Sequence, residues 1–400
     1  MKSFAKPVFL KKFLGPNVVA GAALVVLLSA GLVWTNRAAA QTTAPLISPK
    51  GKTAGEYFKN VRTESLKGLS PSDFIGAMGV MTDAVGYDCS NCHPGAGTDT
   101  QDWVTDRSPN KVIARKMVDM VAAINKTFFN GTQQVTCWTC HHGLDQPTTS
   151  IALDKLYGEP LDEKRDIVLP QDGEPPAKQI FDDYVQAIGG AQKVNALKSY
   201  VATGTSVGYG GVGGTAAFEV YGQAPNLRGV WIHFPEHPDR GVSAWTYNGK
   251  TGWISQPRAY IPIYELTGND LVGAKLDGVI GMPNEVRNAF PSWRVGPEET
   301  IGDKDVYVVQ GTAPGSGVLG TLYFDKKSHL LIRFVRRTPS PVGRITIQQD
   351  FDNYKEADGI KFPFHYSFLW LDGRFTADVT NVKVNVPIDP SKFGEPPAAK

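Results

Sequence analysis

Cysteine is scarce: 400 residues hold four. That excludes the disulfide-dense scaffold common in small exported domains. Long apolar runs are also lacking. The one exception is residues 18–34, 17 uncharged and mostly apolar positions, and nothing downstream approaches spanning length. Excess charge is missing too. The formal net charge is +2, yet residues 1–40 hold five basic groups and no acid, and without them 36 basic groups face 39 acidic ones, a net −3. No nucleic-acid partner held by bulk charge is expected. Methionine is sparse, six including Met1. What remains, 42% hydrophobic and 20% charged residues, is the composition of a folded globular chain long enough for two or three domains.

Lys2, Lys6, Lys11 and Lys12 precede the apolar run, and Ala38-Ala39-Ala40 follows it. A basic start, an apolar middle and an A-x-A site read as a signal peptide over residues 1–40, cut after Ala40. The alternative is an uncleaved membrane anchor, because 17 residues sit at the lower edge of spanning length. Either places the body of the chain in the periplasm or an equivalent extracytoplasmic space. The second tethers it to the inner membrane.

Three regions follow a polar leader at 41–52. Residues 53–144 hold every cysteine and four of the five non-initiator methionines. Residues 145–176 carry Pro147, Pro160, Pro170, Pro175 and Pro176 among mixed charges, which reads as an extended linker. Residues 177–400 are cysteine-free, aromatic-rich and strand-like.

In the cysteine region, Ser70-Pro71-Ser72-Asp73 is a helix start, and Phe74, Ile75, Met78, Met81 and Val85 recur behind it at helical steps. A second helix is predicted from Ser108-Pro109-Asn110, with Ile113, Met117, Met120, Val121, Ile124 and Phe128 on one face, ending near Asn130-Gly131. In the last region, residues 360–370 alternate strictly, which marks one strand with a buried side. Weaker alternation covers 345–351, 319–324 and 305–311, and Asn248-Gly249, Asp358-Gly359 and Asp372-Gly373 are hairpin turns. Helices are predicted at about 177–197 and 266–290. The expected fold is α+β and multidomain: an all-α module, then a mainly antiparallel β domain, a curved sheet or half-barrel with packing helices. Gly208–Gly213 fits G-x-G-x-x-G, but Ala216–Tyr221 behind it reads as strand, so it is a hairpin loop and not a dinucleotide site.

The cysteines fall in two identical patterns, Cys89-Ser90-Asn91-Cys92-His93 and Cys137-Trp138-Thr139-Cys140-His141. C-x-x-C-H is the attachment signature of c-type heme. Two thiols three residues apart lie on one side of a helical turn and can add to the two vinyl groups at one porphyrin edge. The adjacent histidine then supplies its imidazole to the iron. A zinc site would use C-x-x-C pairs about 15–20 residues apart; here the first cysteines are 48 apart and each pair runs straight into histidine. A thioredoxin-like pair would sit in a βαβ pattern, which is missing. Disulfides between the pairs stay open in an exported chain.

Each iron needs a sixth ligand. Met78/Met81 and Met117/Met120 lie on the two predicted helices, each just upstream of a motif. A thioether favours ferrous iron. Core filling is the competing use of methionine on an apolar helical face. The repeated M-x-x-M, with only Met282 elsewhere after residue 120, favours ligation. Within a pair, spacing alone does not choose. Gly76 and Gly79 on the first helix would let a flat macrocycle approach. His142 is a surface histidine or a partner of a heme propionate, and Trp138 packs at the heme edge or in solvent. His233, His237, His329 and His365 show no metal-ligand spacing, and no Ser-His-Asp or paired-carboxylate arrangement is evident.

Residues 79–84 (GVMTDA) before Cys89–His93, and 114–120 (ARKMVDM) with Ala123-Ile124-Asn125 before Val135–Gly143, resemble the multiheme cytochrome c subunit of photosynthetic reaction centres. The resemblance covers about residues 55–147. It implies electron transfer and a unit made of a methionine helix, a turn and the C-x-x-C-H helix. It assigns Met78 to the heme on Cys89/Cys92 and Met117 to that on Cys137/Cys140, with Met81 and Met120 as alternatives. The family's well-known members carry four hemes, and one takes a histidine from the loop after the second methionine helix. This chain has two motifs, and its matching loop, 126–136, contains no histidine. The β-rich region more faintly resembles periplasmic lipoprotein-carrier-like domains, through Tyr184–Gly190 with Leu197, Tyr247–Trp253 and Leu322–Asp325.

The expected function is that of an exported diheme c-type cytochrome carrying electrons between extracytoplasmic donor and acceptor proteins, with both axial positions filled and no catalysis at iron. Two alternatives stand beside it. One is a heme-dependent reductase or peroxidase with an open iron. The other is a protein whose β domain binds a lipid or quinone, an apolar ligand served by the heme module.

Overall fold

Local signals fix the helices. A computed structural model describes residues 51–98, 100–150, 153, 166–208, 214–257, 259, 261–371 and 373–397. The signal segment at 1–40 lies outside the described residues. Two single-turn helices, α1 (Ala54–Tyr57) and α2 (Glu64–Lys67), lead to α3 (Pro71–Val85). Ser70 caps α3 as expected: its Oγ accepts the Asp73 N–H at 3.1 Å, and Pro71 needs no partner at the first position. Gly86, at φ +68°, ends the helix in the left-handed conformation. Next come α4 (Cys89–Cys92), α5 (Pro109–Phe128) and α6 (Cys137–His141). Helix α5 stops at Asn130-Gly131, both at positive φ, where the turn signal lies. No strand occurs between 51 and 150 among the described residues.

The rest is mainly strand. The strands are β1 (Ser199–Val207), β2 (Thr215–Gln223), β3 (Leu227–His233), β4 (Val242–Tyr247), β5 (Gly252–Ser255), β6 (Ile263–Glu265), β7 (Trp293–Val295), β8 (Glu299–Ile301), β9 (Lys304–Thr312), β10 (Leu319–Asp325), β11 (Leu331–Ser340), β12 (Gly343–Asp352), β13 (Lys355–Ala357), β14 (Ile360–Phe362), β15 (His365–Trp370) and β16 (Gly373–Val384). Fourteen form one antiparallel sheet in the order 6-5-4-3-2-1-16-15-12-11-10-9-7, with β8 beside β9. Neighbours are mostly hairpin partners, and β1 closes against β16. Helices α7 (Ala177–Ala187), α8 (Ala191–Asn195) and α9 (Gly268–Ile280) pack against it.

Alternation places the core. On β10, Leu322 and Phe324 face a cluster with Ile180, Phe181 and Tyr184 of α7. The Phe324 ring lies 5.7 Å from Phe181 and 5.4 Å from Tyr184. Burying each such ring is worth about 2 kcal/mol. Tyr323, between them, points to the opposite face with Val306, Val308 and Val335, and Val168 covers it there. Every residue of β10 is buried because both faces are covered. Residues 166–176, the end of the expected linker, therefore lie against the sheet. Gln310, fully buried, holds them: its Oε1 accepts the Val168 N–H at 3.0 Å and its Nε2 donates to the Asp166 carbonyl at 2.8 Å.

The strand expected over 360–370 is two. Pro363 has no N–H for a ladder. Ile360–Phe362 pair with β13 in a small separate sheet, and only His365–Trp370 join the large one. Alternation survives the break, with Ile360, Phe362, Phe364 and Tyr366 all buried.

The helical region is seated on the sheet. Ala77, Val80 and Ala84 of α3 share a cluster with Leu66, Val118, Cys137 and Val342, the last from the β11–β12 turn. The Cys137 N–H donates to the Val342 carbonyl at 3.1 Å, and Gln133 Nε2 donates to Ser340 O at 2.7 Å. Gly76 and Gly79 serve this seat, and Gly79 also lines the cavity described below. A Cβ on Gly76 would stand 2.5 Å from Ile345 Cδ1, and one on Gly79 would stand 3.3 Å from Leu371 Cβ. Both missing side chains admit the sheet domain.

Candidate heme cavity

Helices α3, α4, α5 and α6 enclose a cavity of about 920 Å³, towards the top of the ~300–1,000 Å³ usual for cofactor sites. Cys89, Cys92, His93, Cys137, Cys140 and His141 line it, and so do Met78, Met81, Met117 and Met120. All ten predicted site residues thus reach one space. Each motif is a capped helical turn. Asp88 Oδ1 accepts the Ser90 N–H at 2.7 Å, and Asn91 Oδ1 accepts the Asp88 N–H at 2.9 Å. In the second motif Thr136 and Thr139 repeat that reciprocal cap. The turn puts the two thiols of each pair on one side.

The two histidines differ. His141 Nδ1 lies 2.9 Å from the Leu144 carbonyl, which can only accept, so Nδ1 donates and Nε2 is the ring nitrogen left for a ligand. His93 Nδ1 is buried with no hydrogen-bond partner. Burial and then the nearby Lys111 ammonium hold the His93 imidazole below its usual range, which favours its neutral form. Its ring lies 5.1 Å from Trp103.

All four cysteines are free thiols, so the disulfide alternative has no support. Burial pushes the Cys137 thiol up to about 11, and burial followed by Cys89 raises Cys92. Reactive thiolates show the opposite shift. No three His, Cys, Asp or Glu among the described residues lie close enough to hold a metal ion. The thiol, imidazole and thioether set around one cavity suits covalently attached c-type heme and does not suit zinc.

The units interlock. Ser108 Oγ, at the start of α5, donates to Asn91 O of the first motif at 3.0 Å, and Asn110 Nδ2 donates to the same oxygen at 3.1 Å. Gly143, after the second motif, donates its N–H to Ala84 O of α3 at 2.9 Å. Each attachment turn leans on the other unit's methionine helix.

Two positioning features escaped sequence reading. Asn125, buried at the end of α5, accepts the Gln134 and Val135 N–H groups at 3.0 and 2.9 Å and donates to Val135 O at 2.7 Å, which orients the approach to the second motif. Its signal was a polar residue one helical turn after Val121 on the buried side. Lys111 donates to the carbonyls of Trp103, Val104 and Thr105 at 2.9–3.1 Å, and so folds the 94–107 loop over the cavity. His142 is an exposed left-handed cap at φ +50°, its ring 5.8 Å from Trp138, which is 49% exposed.

Known proteins point to the same region. Residues 28–160 match the family model "Photosynthetic reaction centre cytochrome C subunit". The subunit of Thermochromatium tepidum is 33% identical over 108 residues, 26% of this chain and 25% of that protein. The subunit of Rubrivivax gelatinosus is 30% identical over 112 residues, 27% of this chain and 28% of that one. The chain spans between a quarter and a third of the length of the curated relatives it matches. Among solved structures, a DUF1329 family protein from Desulfovibrio piger has a TM-score of 0.38 at 15% identity, covering 55% of this chain and 98% of its own. A LolA superfamily protein from Nitrosomonas europaea has a TM-score of 0.37 at 13% identity, covering 56% and 99%. Across residues 28–160, around the cavity just described, this chain resembles the cytochrome c subunit of photosynthetic reaction centres.

Proposed function

We propose that this chain is an extracytoplasmic diheme c-type cytochrome that transfers electrons between protein partners. The observation that carries this reading is the convergence of both C-x-x-C-H turns and both methionine pairs on one cavity. Bound heme supplies one-electron cycling at iron. Cys89 and Cys92 hold one heme and Cys137 and Cys140 the other. His93 and His141 are the proximal ligands. Met78 and Met117 are the distal ligands, with Met81 and Met120 packed beside them or taking their place. The Leu144 carbonyl keeps His141 in the ligating tautomer, and burial favours neutral His93. Residues 1–40 export the chain or anchor it. No helix among the described residues is long and apolar enough to cross a membrane.

Electron paramagnetic resonance of the oxidised, exported protein tests this. Two low-spin histidine–methionine signals are expected. Met117→Ala should leave both hemes attached and convert one signal to high spin. An unchanged ligand field in that variant moves the assignment to Met120. A substantial high-spin fraction in the unaltered protein that cyanide converts would replace the carrier by a heme enzyme.

A second reading concerns the sheet domain, which we infer to hold an apolar ligand. A further cavity of about 560 Å³ between sheet and helices favours it.

A further inference from the structure

This second cavity lies between β3–β6, β12, β15, α9 and the start of α3. It shares Ile75, Gly79, Gln256 and Ala259 with the heme cavity, so one turn of α3 divides the two spaces. Its walls are unlike each other. One is aromatic: Phe368 and Phe375 stack at 4.6 Å and 17°, Trp245 stacks on Phe375 at 6.2 Å and 17°, and Trp370 meets Phe375 on edge at 6.1 Å. Such a stack extends readily to another flat ring.

The other wall is polar and rich in donors. Arg336 is 6% exposed, and its Nε has no acceptor. Its Nη2 pairs with Asp277 at 3.2 Å, and Gly273 leaves room for the guanidinium. Arg228 is 8% exposed, lies at the C-terminal end of α9 against Gly281, and makes no ion pair with the described carboxylates. Asp270 faces the same space and accepts from Ser72. Burial, then Asp270, raises Asp73 to about 7, and burial raises Asp270 as well. Burial thus favours the protonated form of both carboxyls, and Asp270 is the one that lines the wall.

A saturated acyl chain would leave the aromatic stack unused, and Asp277 already neutralises Arg336. A flat ring with carbonyl oxygens uses both walls, the stack for the ring and the guanidinium N–H groups for the oxygens. We propose that this cavity binds a quinone-class ligand, its ring on the Trp245–Phe375 stack and its carbonyl oxygens toward Arg228, Arg336 and Asp270. This deepens the ligand reading of the sheet domain and is independent of the axial-ligand assignment.

The test is calorimetric titration of menadione, a naphthoquinone without a tail, into the full-length, heme-loaded, oxidised protein. With both sides oxidised, binding alone is read. One saturable site is expected. Trp245→Ala, which removes a stacking face, and Ala274→Leu, which fills the cavity, should each weaken it at least tenfold with the heme optical spectrum unchanged. Absence of saturable binding to the unaltered protein overturns the proposal. So does equal affinity in both variants, which places menadione elsewhere, or saturable binding of palmitate with none of menadione, which makes the cavity an acyl-chain site. A protein that binds menadione but lacks histidine–methionine spectra would refute the heme-ligand assignment and leave this one standing.

Discussion

Gly86 is pressed against the carbonyl of Gly143. A β-carbon at Gly86 would stand well under 3.0 Å from that oxygen, and the glycine already sits at φ +68°. The end of the first methionine helix and the exit of the second attachment motif thus touch backbone to backbone, fastened by the Gly143–Ala84 hydrogen bond.

Gly86→Ala should therefore cost roughly 2–4 kcal/mol, from left-handed strain plus a clash that no side chain can relieve. Thermal unfolding of the heme-loaded protein measures it. Loss should concentrate in the helical region, with heme content per chain falling below that of the unaltered protein.

Gly76 faces a side chain and not a backbone, so its prediction differs in kind. Gly76→Val should destabilise by about 1–3 kcal/mol through overpacking against Ile345. Ile345→Ala should recover part of that loss. A double-mutant cycle by urea unfolding should give a coupling on the order of 1 kcal/mol. Strict additivity would show that α3 does not seat on β12 in solution.

Asp73 sets a pH dependence. Its carboxyl moves from 3.8 to about 7, through burial first and Asp270 second. Between those values the folded protein keeps a proton that the unfolded chain has released. Stability contributed by this group therefore falls as pH climbs through the window and is level above it. Asp73→Asn should melt higher than the parent at pH 8 and show no such advantage at pH 4. Parallel melting curves across pH 4–8 would contradict the burial of this carboxyl.

Gln310 offers a test of how the 166–176 segment is held. Its amide also donates to Thr321 Oγ1 at 2.9 Å and accepts from Arg294 Nη2 at 2.7 Å. Gln310→Leu keeps the volume and strands the Val168 N–H and Asp166 C=O, which should cost roughly 2–4 kcal/mol. Hydrogen exchange should show Val168 losing protection while β10 and β11 keep theirs.

Much of the fold was readable because it rests on local chemistry. The cap at Ser70, the Ser108-Pro109 helix start, the 3.6-residue spacing of the methionines and the two attachment motifs are short-range features, and alternation located β9, β10 and β12. The unread features are long-range. Pro363 divides a strand whose alternation gave no hint of a break. Gln310 captures a proline-rich stretch whose composition suggested only extension. Gly76 and Gly79 sat beside methionines and pointed to a macrocycle, while their neighbours, Ile345 and Leu371, lie far along the chain. Nothing within one turn of a glycine records what will lean on it.

The bond from Cys137 to Val342 bears on the attachment turn itself. The second attachment motif is finished by a hairpin far along the chain, and 207 residues separate Gln133 from its acceptor Ser340. With that hairpin docked, Cys137 is buried. The backbone of the second motif is thus fixed from the sheet side, while Cys137 itself still lines the cavity. The shape of that attachment turn depends on a hairpin that the motif's own sequence does not contain.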